Sequence, residues 1–118
     1  MGRDLTARER ETLTFMVEHA GVSAGERPVP YEARQRWLEQ VATARAGDRC
    51  NCGTCPSITL ENAHGHTPAG GRRVVLSAGH PDATLLLFID GDRLSYLELA
   101  PHGDELHPEF PPLADITV

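Results

Sequence analysis

Every cysteine of the chain falls within six residues, Cys50-Asn51-Cys52-Gly53-Thr54-Cys55, and Pro56 follows. A C-x-x-C turn that contains glycine aims two thiolates at one ion, because the turn's backbone N–H groups stabilise charge on sulfur, and zinc then takes two more ligands to complete a tetrahedron. Cys50 supplies a third sulfur, and His64 or His66 of Ala63-His64-Gly65-His66 supplies the fourth ligand, with His80 a longer reach. On this reading the cofactor is zinc and the candidate metal ligands are Cys50, Cys52, Cys55, His64 and His66. A second reading makes Cys52 and Cys55 a redox dithiol. Thioredoxin-type pairs sit at a helix N-terminus, whose dipole lowers the thiol pKa, whereas Pro56 and an alternating strand pattern follow here. The simplest reading has reduced cysteines packing as small apolar side chains in a tight helix-to-strand connection, with a disulfide only on oxidation.

Other motifs weaken on inspection. His64-Gly65-His66 has the H-x-H spacing of a cupin metal pair, but Ala69 and Gly70 stand where the glutamate belongs. Asp90-Gly91-Asp92 begins like a calcium loop, yet Leu94 replaces an oxygen ligand and Pro101 the closing glutamate, so a hairpin turn explains it better. Phosphate loop, dinucleotide fingerprint and H-E-x-x-H are all missing from the sequence. All eleven basic residues are arginine, which removes Schiff-base and phosphate-loop lysine chemistry. No catalytic or organic-cofactor residue is assigned, and the reading leans away from an enzyme. His19, His102 and His107 have no spaced partners and are expected at the surface.

The elements that position the cysteine turn follow from periodicity. Thr6-Ala7-Arg8-Glu9 has capping-box spacing and predicts a helix over about Ala7 to Ala20, closed by Gly21 in a left-handed cap. Pro30 suits the first position of a second helix, which the 3- and 4-residue recurrence of Tyr31, Arg34, Trp37, Leu38, Val41, Ala42 and Arg45 carries towards a stop at Gly47. Trp37, the single tryptophan, is expected to anchor helix to sheet. From Ser57 the pattern alternates: Ser57 to Glu61, Arg73 to Ser77, and a hairpin of Leu85–Ile89 with Leu94–Leu99 around Asp90-Gly91-Asp92. The first hairpin strand is apolar on both faces and should be central. Pro101, Pro108, Pro111 and Pro112 forbid a regular element in the tail before about Ile116 to Val118.

The length of 118 residues suits one domain, 1–118, with a helical part at 6–47, a cysteine-rich turn at 50–56, a β-meander at 57–100 and a Pro-rich tail at 101–118. The net charge is −6 and unevenly placed: residues 1–49 hold eight Arg against eight Asp or Glu, residues 50–118 three against nine. No basic stripe exists to displace counterions, so a nucleic-acid partner is not expected. A membrane partner is not expected either, because the longest aliphatic or aromatic run is Leu85 to Ile89. The charged start MGRDLTARERE lacks the apolar stretch of a secretory signal, which leads to the expectation of a cytoplasmic protein.

The helix start Leu5-Thr6-Ala7-Arg8-Glu9-Arg10-Glu11, the cysteine turn before Pro56, and the run Asp92-Arg93-Leu94-Ser95-Tyr96-Leu97-Glu98-Leu99 together resemble small proteins of high-GC actinobacteria, a group without a known activity. Their turn often reads C-x-C-G-C, and Thr54 lengthens it here. The resemblance implies a helical N-terminus, a cysteine-rich turn and a C-terminal β-meander, and it assigns no site residue. The expected fold is therefore α+β, two N-terminal helices on a three- to five-stranded, mainly antiparallel sheet. The expected function is that of a small non-enzymatic interaction domain that forms a homo-oligomer through its sheet face or edge, or takes a basic protein partner. A zinc protein is the alternative and a thiol redox protein the third.

Overall fold

A computed structural model describes residues 2–22, 26–49, 55–62, 65–66 and 71–118. The fold is α+β, with helices α1 (Ala7–His19) and α2 (Tyr31–Val41) and strands β1 (Arg3–Asp4), β2 (Arg45–Arg49), β3 (Ile58–Asn62), β4 (Gly65–His66), β5 (Arg73–His80), β6 (Ala83–Asp90) and β7 (Arg93–Pro101). All the strands belong to one antiparallel sheet in the order β1-β2-β3-β7-β6-β5, with β4 pairing β3 off this path. The sheet exceeds the expected five strands because β1, β2 and β4 carry no apolar alternation. β1 is exposed throughout, and Ala46 is the one buried residue of β2.

The expected meander is also only partly realised. β5, β6 and β7 follow one another as hairpin neighbours, but β3 lies beside β7 and not β5. This is the Greek-key arrangement, in which one strand of four reaches its place by a longer connection. β6 is an interior strand, paired on both sides by β5 and β7, as its two apolar faces require, although it stands next to the β5 edge and not in the middle of the sheet. Its residues Leu85, Leu87 and Ile89 join Leu76, Leu97, Leu99, Ile58 and Leu60 in a core that the helices cover with Leu13, Met16, Val17, Trp37 and Val41.

α1 starts as the sequence predicts. Thr6 Oγ1 accepts from the Glu9 backbone N–H at 3.1 Å and the Glu9 carboxylate accepts from the Thr6 N–H at 2.8 Å, so two otherwise unpaired donors are satisfied. The helix ends differently. Ala20 turns extended at φ −66° and ψ 146°, and Gly21 exchanges backbone hydrogen bonds with Ser77 of β5 instead of forming a left-handed cap. α2 stops at Val41, four residues before the expected Arg45, and Arg45 and Gly47 belong to β2. Gly47 is needed there for close approach and not as a stop, since a Cβ would collide with Thr59 Oγ1 and the Glu61 carboxylate. The helices end each other: Arg10 of α1 donates to the Val41 carbonyl at 2.9 Å, and Arg34 of α2 donates to the Val17 and Ala20 carbonyls at 2.9 and 2.8 Å. Cations thus sit on the unpaired carbonyls and negative dipole ends of an antiparallel pair.

The tail returns to the body. Phe110 is fully buried, Arg8 donates to its carbonyl at 2.8 Å, a single 3-10 turn spans Leu113–Asp115, and Thr117 exchanges hydrogen bonds with Gly79 of β5. The contacts from Gly21 and Thr117 cover the outer edge of β5, one way a sheet avoids edge-to-edge pairing.

Candidate functional site

Of the candidate zinc ligands, Cys50, Cys52 and His64 lie outside the described residues. His66 lies in β4, in register with Glu61. Cys55 is half-buried, and its thiol donates to Ser57 Oγ at 3.4 Å. Ser57 is buried and takes over where the β3–β7 ladder stops, accepting from Leu99 N at 2.9 Å and donating to Leu99 O at 3.4 Å. Cys55 therefore stands at the entry to a strand and not at a helix N-terminus, the position a thioredoxin-type thiol requires. Among the described residues, no group of three or more His, Cys, Asp or Glu could hold a metal ion.

The helices pack on one face of the sheet. On the other, alternation places Val75, Phe88, Tyr96 and Thr59 as successive cross-strand partners, with Ser77, Leu86 and Glu98 forming a second row and Arg73, Asp90 and Arg93 a third. Val75, Leu86, Phe88 and Tyr96 are half-buried, and the Phe88 and Tyr96 rings lie 6.0 Å apart. Arg73 binds Asp90 through two hydrogen bonds, at 2.7 and 3.1 Å, and places its guanidinium 5.0 Å from the centre of the Phe88 ring. This pair holds the Asp90 carboxyl below its ordinary pKa, burial opposing.

The β6–β7 turn is the expected hairpin, with Gly91 at φ 57° and Asp92 at φ 68°, both positive as a primed turn requires. Aspartate is one of the few residues besides glycine that tolerate that conformation, and α2 holds it in place. The Asp92 carboxylate accepts from Arg36 at 2.9 and 3.1 Å and from Trp37 Nε1 at 2.9 Å. Gln40 donates to the Asp92 carbonyl and accepts from Leu94 N, so a side-chain amide ties the turn to the start of β7. The Arg36 guanidinium keeps Asp92 below the usual carboxylate range, against a smaller upward push from burial. Trp37 is buried between helix and sheet as expected.

Two clefts flank this framework. One, of about 640 Å³, opens beside α2, with an apolar floor of Val22, Val29, Ala33, Trp37, Val74 and Ile89. Its rim carries Arg27, Arg36, Arg72 and Arg73 against Glu26 and Asp92. Arg36 and Arg73 are engaged as described above, whereas Arg27 and Arg72 are exposed and make no ion pair among the described residues. The other cleft, of about 540 Å³, lies at the N-terminus of α1 among Arg3, Arg8, Glu9, Arg49, Pro56 and Phe110. There Arg3 grips Glu9 at 2.8 and 2.9 Å, and Arg8 reaches Phe110 and, at 3.7 Å, Glu109. Sequence reasoning missed the arginine rim because its members come from three separate segments. The available signal was Arg27 inside Glu26-Arg27-Pro28-Val29-Pro30 and the Arg72-Arg73 pair in an acidic half.

The histidines divide. His19 is exposed against Phe15, and exposed His102 shares a 2.9 Å hydrogen bond with Thr84. His107 departs from its expected surface position: it is half-buried, edge-on to His80 with ring centres 6.4 Å apart, and its Nε2 is buried without a hydrogen-bond partner. No described helix is long and apolar enough to cross a membrane. No protein-family model matches the chain, and no curated protein or solved structure is significantly similar to it.

Proposed function

We propose that this protein is a small non-enzymatic cytoplasmic interaction domain that pairs with a second copy of itself through the sheet face opposite the helices. The observation that carries the reading is the row Val75, Phe88 and Tyr96 beside Leu86, an apolar patch on the face away from both helices. The covered edge of β5 favours face over edge as the contact. A two-fold axis along the central row turns the Arg93 end of one copy over the Glu98 end of the other, so stacking is complementary in charge as well as apolar. Sedimentation equilibrium tests this. The expected mass is twice 12.9 kDa, returning to the monomer value in Phe88→Asp and in the milder Leu86→Ser. A wild-type monomer across the range up to about 0.5 mM, a weak limit for a specific dimer, overturns it.

A zinc site at the cysteine turn remains the second reading, favoured by one observation. Arg49 of β2 pairs with Ile58 of β3, so the sheet holds the two ends of segment 50–57 side by side, as three thiols sharing one ion require. Elemental analysis of protein purified without chelator decides it, and well under one zinc per chain rejects it.

A further inference from the structure

A different part of the molecule carries a different activity. We infer that the arginine-rimmed cleft beside α2 is a binding site for a small amphipathic organic anion, a carboxylate carried on an apolar body. The first ground is charge. The protein carries −6 overall, yet four of its eleven arginines line this one cleft, one more than the carboxylates beside them, Glu26, Asp92 and the Asp90 that binds Arg73. A cation excess gathered in an acidic molecule draws anions to that point and repels them elsewhere.

The second ground is the state of those arginines. Arg36 and Arg73 are committed to Asp92 and Asp90 by bidentate hydrogen bonds, and the Arg73 guanidinium lies over Phe88 on the other face of the sheet, so neither is open to a ligand. Arg27 and Arg72 have no such anion among the described residues, and they come to the cleft from separate segments, one before α2 and one from the residue before β5. A planar guanidinium with unspent donors matches a carboxylate in two parallel hydrogen bonds. The first turn of α2 adds to the same field, since Pro30 caps it without a side-chain hydrogen bond.

The floor decides what the anion is attached to. Val22, Val29, Ala33, Val74 and Ile89 offer no hydrogen-bonding side chain, and the Trp37 N–H is already given to Asp92. A sugar or nucleobase would lose its hydration there without replacement, whereas an alkyl chain or aromatic ring loses nothing. The volume of about 640 Å³ falls within the roughly 300–1,000 Å³ of small-molecule pockets.

Trp37 is the sole tryptophan and lies in the floor, so its emission reports on this cleft. The test is a titration of the full chain with octanoate, octanol and inorganic phosphate, read by Trp37 fluorescence. Octanoate is expected to shift the emission saturably, with octanol and phosphate each weaker by about tenfold or more, the worth of one charge-assisted hydrogen bond or of the apolar body. Arg27→Ala and Arg72→Ala are each expected to weaken octanoate by about tenfold, while Arg49→Ala, at the other cleft, leaves it unchanged. No saturable shift overturns the inference. So does equal binding of octanol, which removes the role of charge, equal binding of phosphate, which removes the role of the floor, or undiminished binding by the doubly substituted Arg27→Ala, Arg72→Ala protein. Either result is independent of whether the protein dimerises.

Discussion

The cleft at α1 and the cleft at α2 are assembled from the same materials, a helix N-terminus, arginines and one large buried aromatic residue, and they are finished in opposite ways. At α1 the capping box fills the helix end, Arg3 is spent on Glu9, and Arg8 is spent on the tail around the buried Phe110. At α2 the helix end has no side-chain cap, and Arg27 and Arg72 are left facing a hollow over Trp37. Saturated polar groups hold a fold together, whereas unsaturated ones of the same type, kept over an apolar floor, are available to a ligand. The two sites therefore separate stability from binding, and substitutions in each should move one quantity and not the other.

The largest effect belongs to the closed side. Phe110→Ala should cost about 3–5 kcal/mol, the usual loss for a fully buried aromatic side chain. Urea unfolding would show it as a lower midpoint at unchanged slope, and a loss under about 1 kcal/mol would mean that the tail is not part of the core. Glu9→Ala comes next at about 2 kcal/mol, because it removes the acceptor of the Thr6 N–H and strands the Arg3 guanidinium in one step. Its measure is the same unfolding curve, with Glu11→Ala, an exposed neighbour on the same helix, as the control.

How far the sequence foretold this contrast depends on whether a signal was local. The capping box, the Asp90-Gly91-Asp92 turn and the interior apolar strand were readable because each is fixed by neighbouring residues. β2 was not. Its strand state rests on pairing with β3 fifteen or so residues along, and its helix-like pattern through Arg45 was overridden once Arg10 capped Val41. The β3–β7 pairing was illegible for the same reason, since alternation shows that a strand exists but not which neighbour it takes. The arginine rim was harder still, because it is made only when α2 docks on the hairpin through Asp92. The candidate zinc ligands, by contrast, were legible as a motif and fall largely outside the described residues.

Acid should weaken the fold through carboxylates on both sides of the comparison. Burial pushes the Glu9 carboxyl up, but the hydrogen bonds from Arg3 and from the Thr6 backbone outweigh it and leave it below the ordinary value. Asp90 and Asp92 are likewise lowered by Arg73 and Arg36. A carboxyl with a depressed folded pKa contributes fully above its unfolded value, about 3.9 for Asp and 4.3 for Glu, and loses that contribution as pH falls through the folded value. The thermal midpoint should accordingly stay level from about pH 7 to 5 and drop below about pH 4. Glu9→Gln should make the drop shallower; an unchanged drop would remove Glu9 from the account.

The smallest effect on stability is the one that separates the two sites most sharply. Arg27→Ala and Arg72→Ala should each change the unfolding free energy by less than about 0.5 kcal/mol, because an exposed side chain without an ion partner gives up almost nothing when truncated. Octanoate should in turn raise the thermal midpoint of the wild-type protein and fail to raise that of the double variant, since a ligand stabilises only the fold that binds it. If either arginine proves to cost as much as Glu9, it is holding the structure and not waiting for a ligand. The two clefts would then differ in shape but not in kind.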